Sequence, residues 1–446
     1  MLQRYARLEA AWDRAVRHMR IARRLDGKDL LQFFEPVFQA EGFRERQPGT
    51  VEQLLVISLD ELGDNVLLTP FLRELRQNAP QARIVLVVKP FLRDVFELCP
   101  YINELLTLQP GFSQDMLHQG RSVIDFCEEH LWRRRFDKCF LPQWGDDKTE
   151  LRLLAYLSGA RERIGYGDDA IKVYSEVLED SSACGELLSV SAVAPAECVH
   201  EAERRFQLLR CCGMEVSQTG AELWLGAADW QAAANLIAPL RWHEKVLALG
   251  IGAGWPGRKY PIALYIQALR ELVAENWGVV VLGGKKEQEE GDFLARQLPP
   301  GSTVNIAGQT SMRETAAAIG LADLYLGNET GVMHMAAALG KPTVDICFEP
   351  ASRRWLLPEL LSPSARFHPW QTDYICLRPA KPLPECAEAV CYGYCAHWEV
   401  QHCISQIEPR ELVEAVRMLW AHKSQAGAIS HRTSICRDTV WRKKEK

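Results

Sequence analysis

Long apolar runs, a strong charge of one sign and an excess of glycine and proline are all missing from this sequence. No stretch approaches the ~18 consecutive apolar residues of a membrane span, and the first thirty residues lack the apolar core of a signal peptide. We therefore expect a cytoplasmic protein. The formal net charge of −6 provides no overall field for holding nucleic acid, so we expect no nucleic-acid partner. The 30 glycines and 23 prolines exclude a collagen-like chain.

The composition is that of an ordinary globular protein. With 446 residues, 47% hydrophobic and 25% charged, the chain has enough apolar material for two buried cores and a length typical of two or three domains. Its 14 cysteines are spread over a long chain without an export signal, so we expect most of them to be reduced core residues.

Residues 1–48 have the pattern of a helical N-terminal extension. Apolar residues recur at spacings of three and four along one helix stripe, formed by Tyr5, Leu8, Trp12, Ala15 and Met19. Arginines crowd the remaining face. Two interpretations follow: peripheral attachment to an anionic membrane surface, at the inner face of the inner membrane, or packing on the protein itself. Packing is slightly favoured, because Glu9 and Asp13 dilute the positive charge.

From residue 50 onward, short apolar runs alternate with helical patterns, as in parallel α/β domains. We predict a first domain at 50–225, a second at 226–422 and a basic tail at 423–446. The predicted strands are 54–59, 83–88, 103–108 and 136–141 in the first domain, and 245–252, 278–284, 304–306, 321–327 and 343–348 in the second. The expected fold is α/β, with two doubly wound Rossmann-like domains facing across a cleft.

Ligands of such sheets bind beyond the carboxyl ends of the strands, so the loops that follow the strands are the informative ones. The loop DELGDNV after the first strand brings Asp64 to the start of a helix. A carboxylate there either caps the helix or acts as a general base, and the sequence alone leaves both roles open.

The segment GNETGVMHMAAALGKP is the strongest local signal in the sequence. Thr330 is placed to cap a helix, and Gly331 keeps the first turn open to close approach. Free N–H groups and the helix dipole make such a helix start an anion site that fits a phosphate. His334 follows one turn later, either near that anion or as a core histidine, and the first reading is favoured.

Two further loops carry charge. In GIGAGWPGRKYP, Arg258 and Lys259 are placed to neutralise a diphosphate leaving group. The dinucleotide fingerprint G-x-G-x-x-G would need glycine where Trp255 stands, which argues against a nicotinamide enzyme. After the strand VVVLGG, Glu287 either accepts hydrogen bonds from ribose hydroxyls or is a first-turn acid that favours its helix.

Together these loops resemble glycosyltransferase family 9, the ADP-heptose:lipopolysaccharide heptosyltransferases, whose architecture is GT-B. The matching pieces are ISLDELGDNVLLTPFLRELR, GRKYP, GG followed by Glu287, and GNETGVMHMAAALGKPTV, and the likeness runs from about residue 52 to 420. The resemblance implies inverting transfer of a heptose or related sugar from an ADP-sugar to a hydroxyl of a lipopolysaccharide-core acceptor. It implies that catalysis needs no metal or other cofactor.

The resemblance also implies roles for individual residues. Asp64 would be the general base, Lys259 would stabilise the departing diphosphate and Glu287 would hold the ribose. The other implied donor contacts are Gly254, Trp255, Thr310, Thr330, Gly331 and His334. Glu329 stands where the family usually has Asp, longer by one methylene, which bears on the choice of donor sugar. The acceptor-side candidates Arg152, Arg163 and His200 are equally well read as structural residues.

Five cysteines cluster near the C-terminus and suggest a structural zinc or iron site, with plain buried thiols as the alternative. They are Cys376, Cys386, Cys391, Cys395 and Cys403. Iron in this loop would favour a related protein O-heptosyltransferase that modifies Ser or Thr of autotransporters. A nucleotide-sugar binding protein without turnover is the remaining alternative.

Overall fold

The computed structural model describes residues 6–22, 27–45, 49–109, 123–145, 151–167, 185–217, 220–352, 362–384, 399–426 and 436–438. Its strands are Gln53–Ser58 (β1), Arg83–Val88 (β2), Glu104–Thr107 (β3), Lys138–Phe140 (β4), Glu162–Tyr166 (β5), Val190–Ala192 (β6), Lys245–Gly250 (β7), Trp277–Leu282 (β8), Thr303–Asn305 (β9), Leu324–Asn328 (β10), Thr343–Ile346 (β11), Tyr374–Leu377 (β12) and Cys436–Asp438 (β13).

The helices alternate with these strands. They are Ala6–Ala22 (α1), Gly27–Ala40 (α2), Leu62–Val66 (α3), Thr69–Asn78 (α4), Arg93–Phe96 (α5), Leu151–Leu157 (α6), Glu201–Cys211 (α7), Ala227–Ile237 (α8), Ile262–Ala274 (α9), Gln288–Arg296 (α10), Met312–Leu321 (α11), Gly331–Ala338 (α12), Pro363–Arg366 (α13) and Pro409–Ala426 (α14).

The strands form two sheets, and every pairing described within them is parallel. The first sheet has the order β3-β2-β1-β4-β5-β6, and the second has the order β13-β12-β11-β10-β7-β8-β9. Both orders reverse direction beside their first strand, as in doubly wound folds. The predicted α/β fold of GT-B type is confirmed.

The sequence analysis did not predict four of the strands, namely β5, β6, β12 and β13. The predicted strands are mostly continuous apolar runs such as Leu54–Ile57, which are buried because helices cover both faces of a parallel sheet. By contrast, β6 has only three residues and β5 begins with two charged ones. Their neighbours in the sheet, rather than their own composition, make them strands.

The chain divides into two units, and the division departs from the predicted domain bounds at residues 61–70, 199–201 and 219–225. Unit 1 comprises residues 1–60, 71–198 and 202–218, and unit 2 comprises 61–70, 199–201 and 219–446. Residues 61–70, which the sequence analysis assigns to the first domain, group with unit 2. The pattern VLLTPFLRELRQ predicts a single helix over 66–77 with a kink at Pro70. The structure instead has two helices here, α3 and α4, with Leu67 and Leu68 between them.

The N-terminal extension is part of the core of unit 1. Leu8, Trp12 and Ala15 on α1 are buried, together with Phe34 on α2. The rings of Trp12 and Phe34 lie 6.4 Å apart. Leu8, Trp12 and Ala15 of the apolar stripe therefore pack on the protein itself, as the favoured interpretation predicts, whereas Tyr5 and the side chain of Met19 lie outside what the structure describes. Among the helices that the structure describes, none is long and apolar enough to cross a bilayer.

Replacing Trp12 with alanine should destabilise unit 1, because the indole fills the core between α1 and α2. We expect a loss of about 3–5 kcal/mol in the free energy of unfolding, measured by urea denaturation. Arg14→Ala, on the exposed face of the same helix, is the matched control and should change stability by less than about 0.5 kcal/mol. Unchanged stability of Trp12→Ala, with loss of binding to anionic vesicles, would instead identify the stripe as a membrane contact.

Candidate functional site

The predicted ligand-binding residues lie beyond the carboxyl ends of four adjacent strands of unit 2. Residues 254–259 follow β7, Glu287 follows β8, Thr310 follows β9, and residues 329–331 follow β10. The two central strands, β7 and β10, end in register, with Gly250 beside Gly327. This pair is where the strand order reverses, which is the usual position of a ligand site in an open α/β sheet.

Asn328, which the sequence analysis did not single out, ties these loops together. Its side chain is fully buried at the end of β10. Its Nδ2 donates to the carbonyls of Ile251 and Gly252 at 3.3 and 3.0 Å, and its Oδ1 accepts from the amide of Tyr260 at 2.9 Å. Asn328 therefore holds both ends of the loop that carries Arg258 and Lys259.

Two glycines allow α3 to lie directly against α12. A Cβ atom added to Gly63 would be 2.7 Å from Cδ2 of His334, and one added to Gly331 would be 2.6 Å from Cγ of Leu62. Distances this short exclude larger residues unless the helices move apart. The contact brings the helix that carries Asp64 to the start of α12.

This contact changes the interpretation of α12. Thr330 occupies the N-cap position, but its side chain makes no capping hydrogen bond. Leu62 covers the face of Gly331 that the sequence analysis expects to be open. His334 is buried, with its ring against Gly63. The first N–H groups of α12 still have no carbonyl partner within the helix, so the helix start keeps its capacity for an anion.

Glu329 is the most perturbed acid among these predicted site residues. It is only 5% exposed. Its pKa is raised to about 7: burial is the largest cause, the charge of Arg258 opposes the shift, and the charge of Asp64 adds to it. Oε2 of Glu329 lies 3.5 Å from Nη2 of Arg258 and has no hydrogen-bond partner in the described part of the chain.

The guanidinium group of Arg258 packs against two aromatic rings. Its central carbon lies 4.1 Å from the ring centroid of Trp255 and 4.9 Å from that of Phe348. Stacking of this kind orients a guanidinium without using its N–H groups. Nε of Arg258 is buried and has no hydrogen-bond partner among the described residues.

Lys259 points towards a different set of groups. Its Nζ forms an ion pair with Glu290 and lies 3.6 Å from Oε1 of Glu287. The other oxygen of Glu287 accepts a hydrogen bond from the amide of Gly284 at 3.0 Å, which caps the short helix after β8. Glu287 is thus a first-turn acid in this structure, and its predicted contact with ribose stays a prediction.

The remaining donor candidates lie at the same edge of the sheet. Gly254 is exposed, and no described atom lies within 4 Å of a Cβ placed there. The hydroxyl of Thr310 is 2.7 Å from that of Thr315, at the start of α11.

The acceptor-side candidates have structural contacts. Arg152 donates to the carbonyl of Tyr166 at 2.6 Å, and Arg163 donates to that of Leu187 at 2.6 Å. His200 stacks on Trp370 with a centroid distance of 4.5 Å. All three side chains are buried, which favours the structural reading.

The cysteine cluster is only partly described. Cys386, Cys391 and Cys395 lie outside the described residues. Cys376 is buried in β12, and Sγ of Cys403 lies 3.2 Å from Nδ1 of His402. Within the described part of the chain, no group of three or more His, Cys, Asp or Glu side chains is arranged to hold a metal. The proposed zinc or iron site stays a prediction.

Replacing Gly63 or Gly331 with alanine should separate α3 from α12. We expect each change to destabilise the fold by about 1–3 kcal/mol, because the added methyl group overlaps His334 or Leu62. Gly254→Ala, which meets open space, is the control and should leave thermal stability unchanged. Equal melting temperatures for all three variants would show that the close contact does not exist.

Known proteins resemble this chain both in sequence and in fold. Residues 173–355 match the family model described as glycosyltransferase family 9 (heptosyltransferase). Lipopolysaccharide heptosyltransferase 2 of Escherichia coli K12 is 23% identical over 323 residues, which is 70% of this chain and 87% of that protein.

Two solved structures share the fold. A glycosyl transferase family 9 protein from Veillonella parvula superposes with a TM-score of 0.66 at 18% identity, covering 83% of this chain and 98% of that one. The E. coli ADP-heptose lps heptosyltransferase II gives a TM-score of 0.58 at 19% identity, covering 83% and 99%. Residues 173–355 of this chain thus resemble glycosyltransferase family 9 (heptosyltransferase), and the chain shares the fold of the solved enzymes of that family.

Proposed function

We propose that this enzyme transfers a heptose, or a closely related sugar, from an ADP-sugar to a hydroxyl of a lipopolysaccharide-core acceptor with inversion. The observation that carries the proposal is the meeting of Asp64, Glu329, Arg258 and the start of α12 at the strand-order reversal of unit 2. The names of the E. coli relatives, which specify lipopolysaccharide and ADP-heptose, support this choice of acceptor and donor.

The chemistry requires negative charge to be stabilised as it develops on the departing diphosphate. Helix N–H groups and a fixed guanidinium stabilise that charge more in the transition state than in the ground state. A carboxylate on the adjoining helix, Asp64, accepts the proton of the attacking hydroxyl. Asp64 lies outside the segment that matches the family model, so its role rests on the contact between α3 and α12.

We assign the larger part of diphosphate binding to Arg258 rather than to Lys259. Lys259 is already paired with Glu290 and lies close to Glu287, so its charge is largely compensated. Arg258 has one carboxylate neighbour, Glu329, and no hydrogen-bond partner at Nε among the described residues. The rings of Trp255 and Phe348 pack against its guanidinium group and hold it beside Glu329. A planar guanidinium also matches the geometry of phosphate oxygens.

Glu329 then faces the sugar. Its carboxylate accepts hydrogen bonds from hydroxyl groups when ionised, and its length distinguishes this site from one built around aspartate. The expected location of an enzyme with this function is the cytoplasm. The N-terminal helix α1 contributes to the core of unit 1, so only its basic face is left for contact with an anionic surface.

Asp64→Asn should lower the rate of transfer by roughly 10²–10⁴-fold, because it removes the general base. The affinity for ADP, measured by calorimetry, should stay within about threefold, since Asp64 contacts the acceptor hydroxyl. Glu61→Gln, at the exposed start of the same helix, is the matched control. A parallel loss of ADP affinity in Asp64→Asn would show that Asp64 is not the base. For the wild type, transfer from UDP- or GDP-sugars but not from ADP-heptose would refute the proposed donor.

Arg258→Ala should reduce kcat/KM by about 10²–10³-fold, the size expected for losing one group that stabilises the leaving charge. Lys259→Ala should cost roughly tenfold or less, because that lysine is shared with two carboxylates. Arg258→Lys, which keeps the charge but not the planar donors, should fall between them. If steady-state kinetics show a larger loss of kcat/KM for Lys259→Ala than for Arg258→Ala, Lys259 rather than Arg258 is the main diphosphate-binding residue.

A further inference from the structure

The start of α12 lacks the cap that its sequence provides for. Thr330 occupies the N-cap position, yet its side chain makes no capping hydrogen bond. An N-cap threonine normally accepts a hydrogen bond from an amide in the first turn of its helix. At α11 the chain follows this rule, because the hydroxyl of Ser311 accepts from the amide of Glu314 at 3.2 Å. The uncapped start of α12 is therefore a property of its own surroundings.

One of the neighbouring groups is the phenol of Tyr325 on β10, for which two glycines make room. Gly250 of β7 and Gly327 of β10 are paired where the strand order reverses. A Cβ atom added to Gly250 would lie 2.9 Å from Cζ of Tyr325, and one added to Gly327 would lie 2.8 Å from it, with the phenol oxygen closer still. Such distances exclude a side chain at either position unless the ring moves. The phenol thus lies across the ends of the two central strands.

The oxygen of this phenol is directed at Thr330. Burial is the largest cause that raises the pKa of Tyr325, the charge of Asp345 adds to it, and a hydrogen bond with the side chain of Thr330 opposes the rise. The phenol oxygen has no other hydrogen-bond partner in the part of the chain that the structure describes. Tyr325 is fully buried in the apolar cluster that includes Met333 of α12, so packing fixes the ring at this place.

This contact determines which amides of α12 stay open. The amide of His334 donates to the carbonyl of Thr330 at 3.2 Å, so the amides of residues 331–333 are those without a carbonyl partner within the helix. If the hydroxyl of Thr330 turned to cap the helix, it would occupy one of them. When that hydroxyl is bonded to Tyr325 instead, the whole first turn is left for an anion.

The contact also adds no charge to the site. A phenol ionises only near pH ~10, so Tyr325 engages Thr330 as a neutral group. A carboxylate in the same place would also bond to the hydroxyl of Thr330. It would, however, put a further negative charge beside Glu329 and repel a bound diphosphate.

We propose that Tyr325 is a positioning residue for the diphosphate of the donor. It holds the hydroxyl of Thr330 away from the first turn of α12 and so keeps the amides of that turn open to the anion. Tyr325 acts through Thr330 and does not touch the ligand. The identity of the ligand rests on the proposed function, whereas the state of the helix start does not.

Tyr325→Phe tests the proposal, because it removes only the phenol oxygen and keeps the ring beside the glycines. The hydroxyl of Thr330 should then cap α12 and occupy one amide. The dissociation constant for ADP, measured by calorimetry, should rise about five- to tenfold. The melting temperature should not fall, because the helix gains a cap.

Tyr166→Phe is the matched control, since it removes a buried phenol oxygen from unit 1 that bonds to the carbonyl of Arg204. It should leave the affinity for ADP unchanged. An affinity of Tyr325→Phe equal to that of the wild type would overturn the proposal.

A double-mutant cycle separates action through Thr330 from direct contact with the ligand. Valine at position 330 cannot cap the helix. In the Thr330→Val background, Tyr325→Phe should therefore change the affinity for ADP by less than about twofold. If Tyr325→Phe weakens binding as much in this background as in the wild type, the phenol acts on the ligand directly and the proposal is wrong.

Amide hydrogen exchange, followed by NMR without any ligand, tests the state of the helix start. In Tyr325→Phe, the amide of Val332 or Met333 should exchange about fivefold more slowly than in the wild type, because the hydroxyl of Thr330 now accepts its hydrogen bond. Equal exchange rates in the two proteins would contradict the proposal.

The two proposals can fail separately. A wild type without heptosyl transfer, in which Tyr325→Phe has the expected effects on exchange and on ADP affinity, would refute the proposed function and leave the role of Tyr325 intact. A wild type with heptosyl transfer, in which Tyr325→Phe changes neither quantity, would do the reverse.

Discussion

The candidate site depends on the close packing of α3 against α12. Gly63 on α3 lies against His334 of α12, and Gly331 on α12 lies against Leu62 of α3. Neither position accepts a side chain at this separation. Because the two helices lie so close, a carboxylate from a segment far away in sequence comes to the start of the helix that follows β10. Without that approach, no carboxylate from the loop after β1 would lie beside the start of α12.

The rest of the site is held by buried polar groups rather than by loop rigidity. Asn328 fastens the loop after β7 at two carbonyls and one amide. Two arginines each pair with a different buried acid: Arg258 pairs with Glu329, and Arg378 pairs with Glu349. Placing charge inside the protein costs free energy, and pairing recovers it only when each charge has a partner. This accounts for an arginine packed against two rings beside the buried Glu329.

Much of the fold could be predicted because the central strands are continuous apolar runs, such as Leu54–Ile57, whose type needs no tertiary information. The start of α12 was predictable for a similar reason, since threonine and glycine before a helical pattern mark a helix start. The contacts of Asn328 were not, because a polar residue in a strand shows its partners only after the strands are in register. The break at Leu67 and Leu68 was missed because the helical periodicity continues across it, and it is the packing of α3 on α12 that makes these two helices.

The most direct test of this account is a crystal structure of the enzyme with ADP bound. It should show the diphosphate at the N–H groups that open α12, within hydrogen-bond distance of Arg258, with the carboxylate of Asp64 facing the β-phosphate side. A nucleotide bound at another edge of the sheet, or an Asp64 side chain turned away from the bound diphosphate, would contradict it.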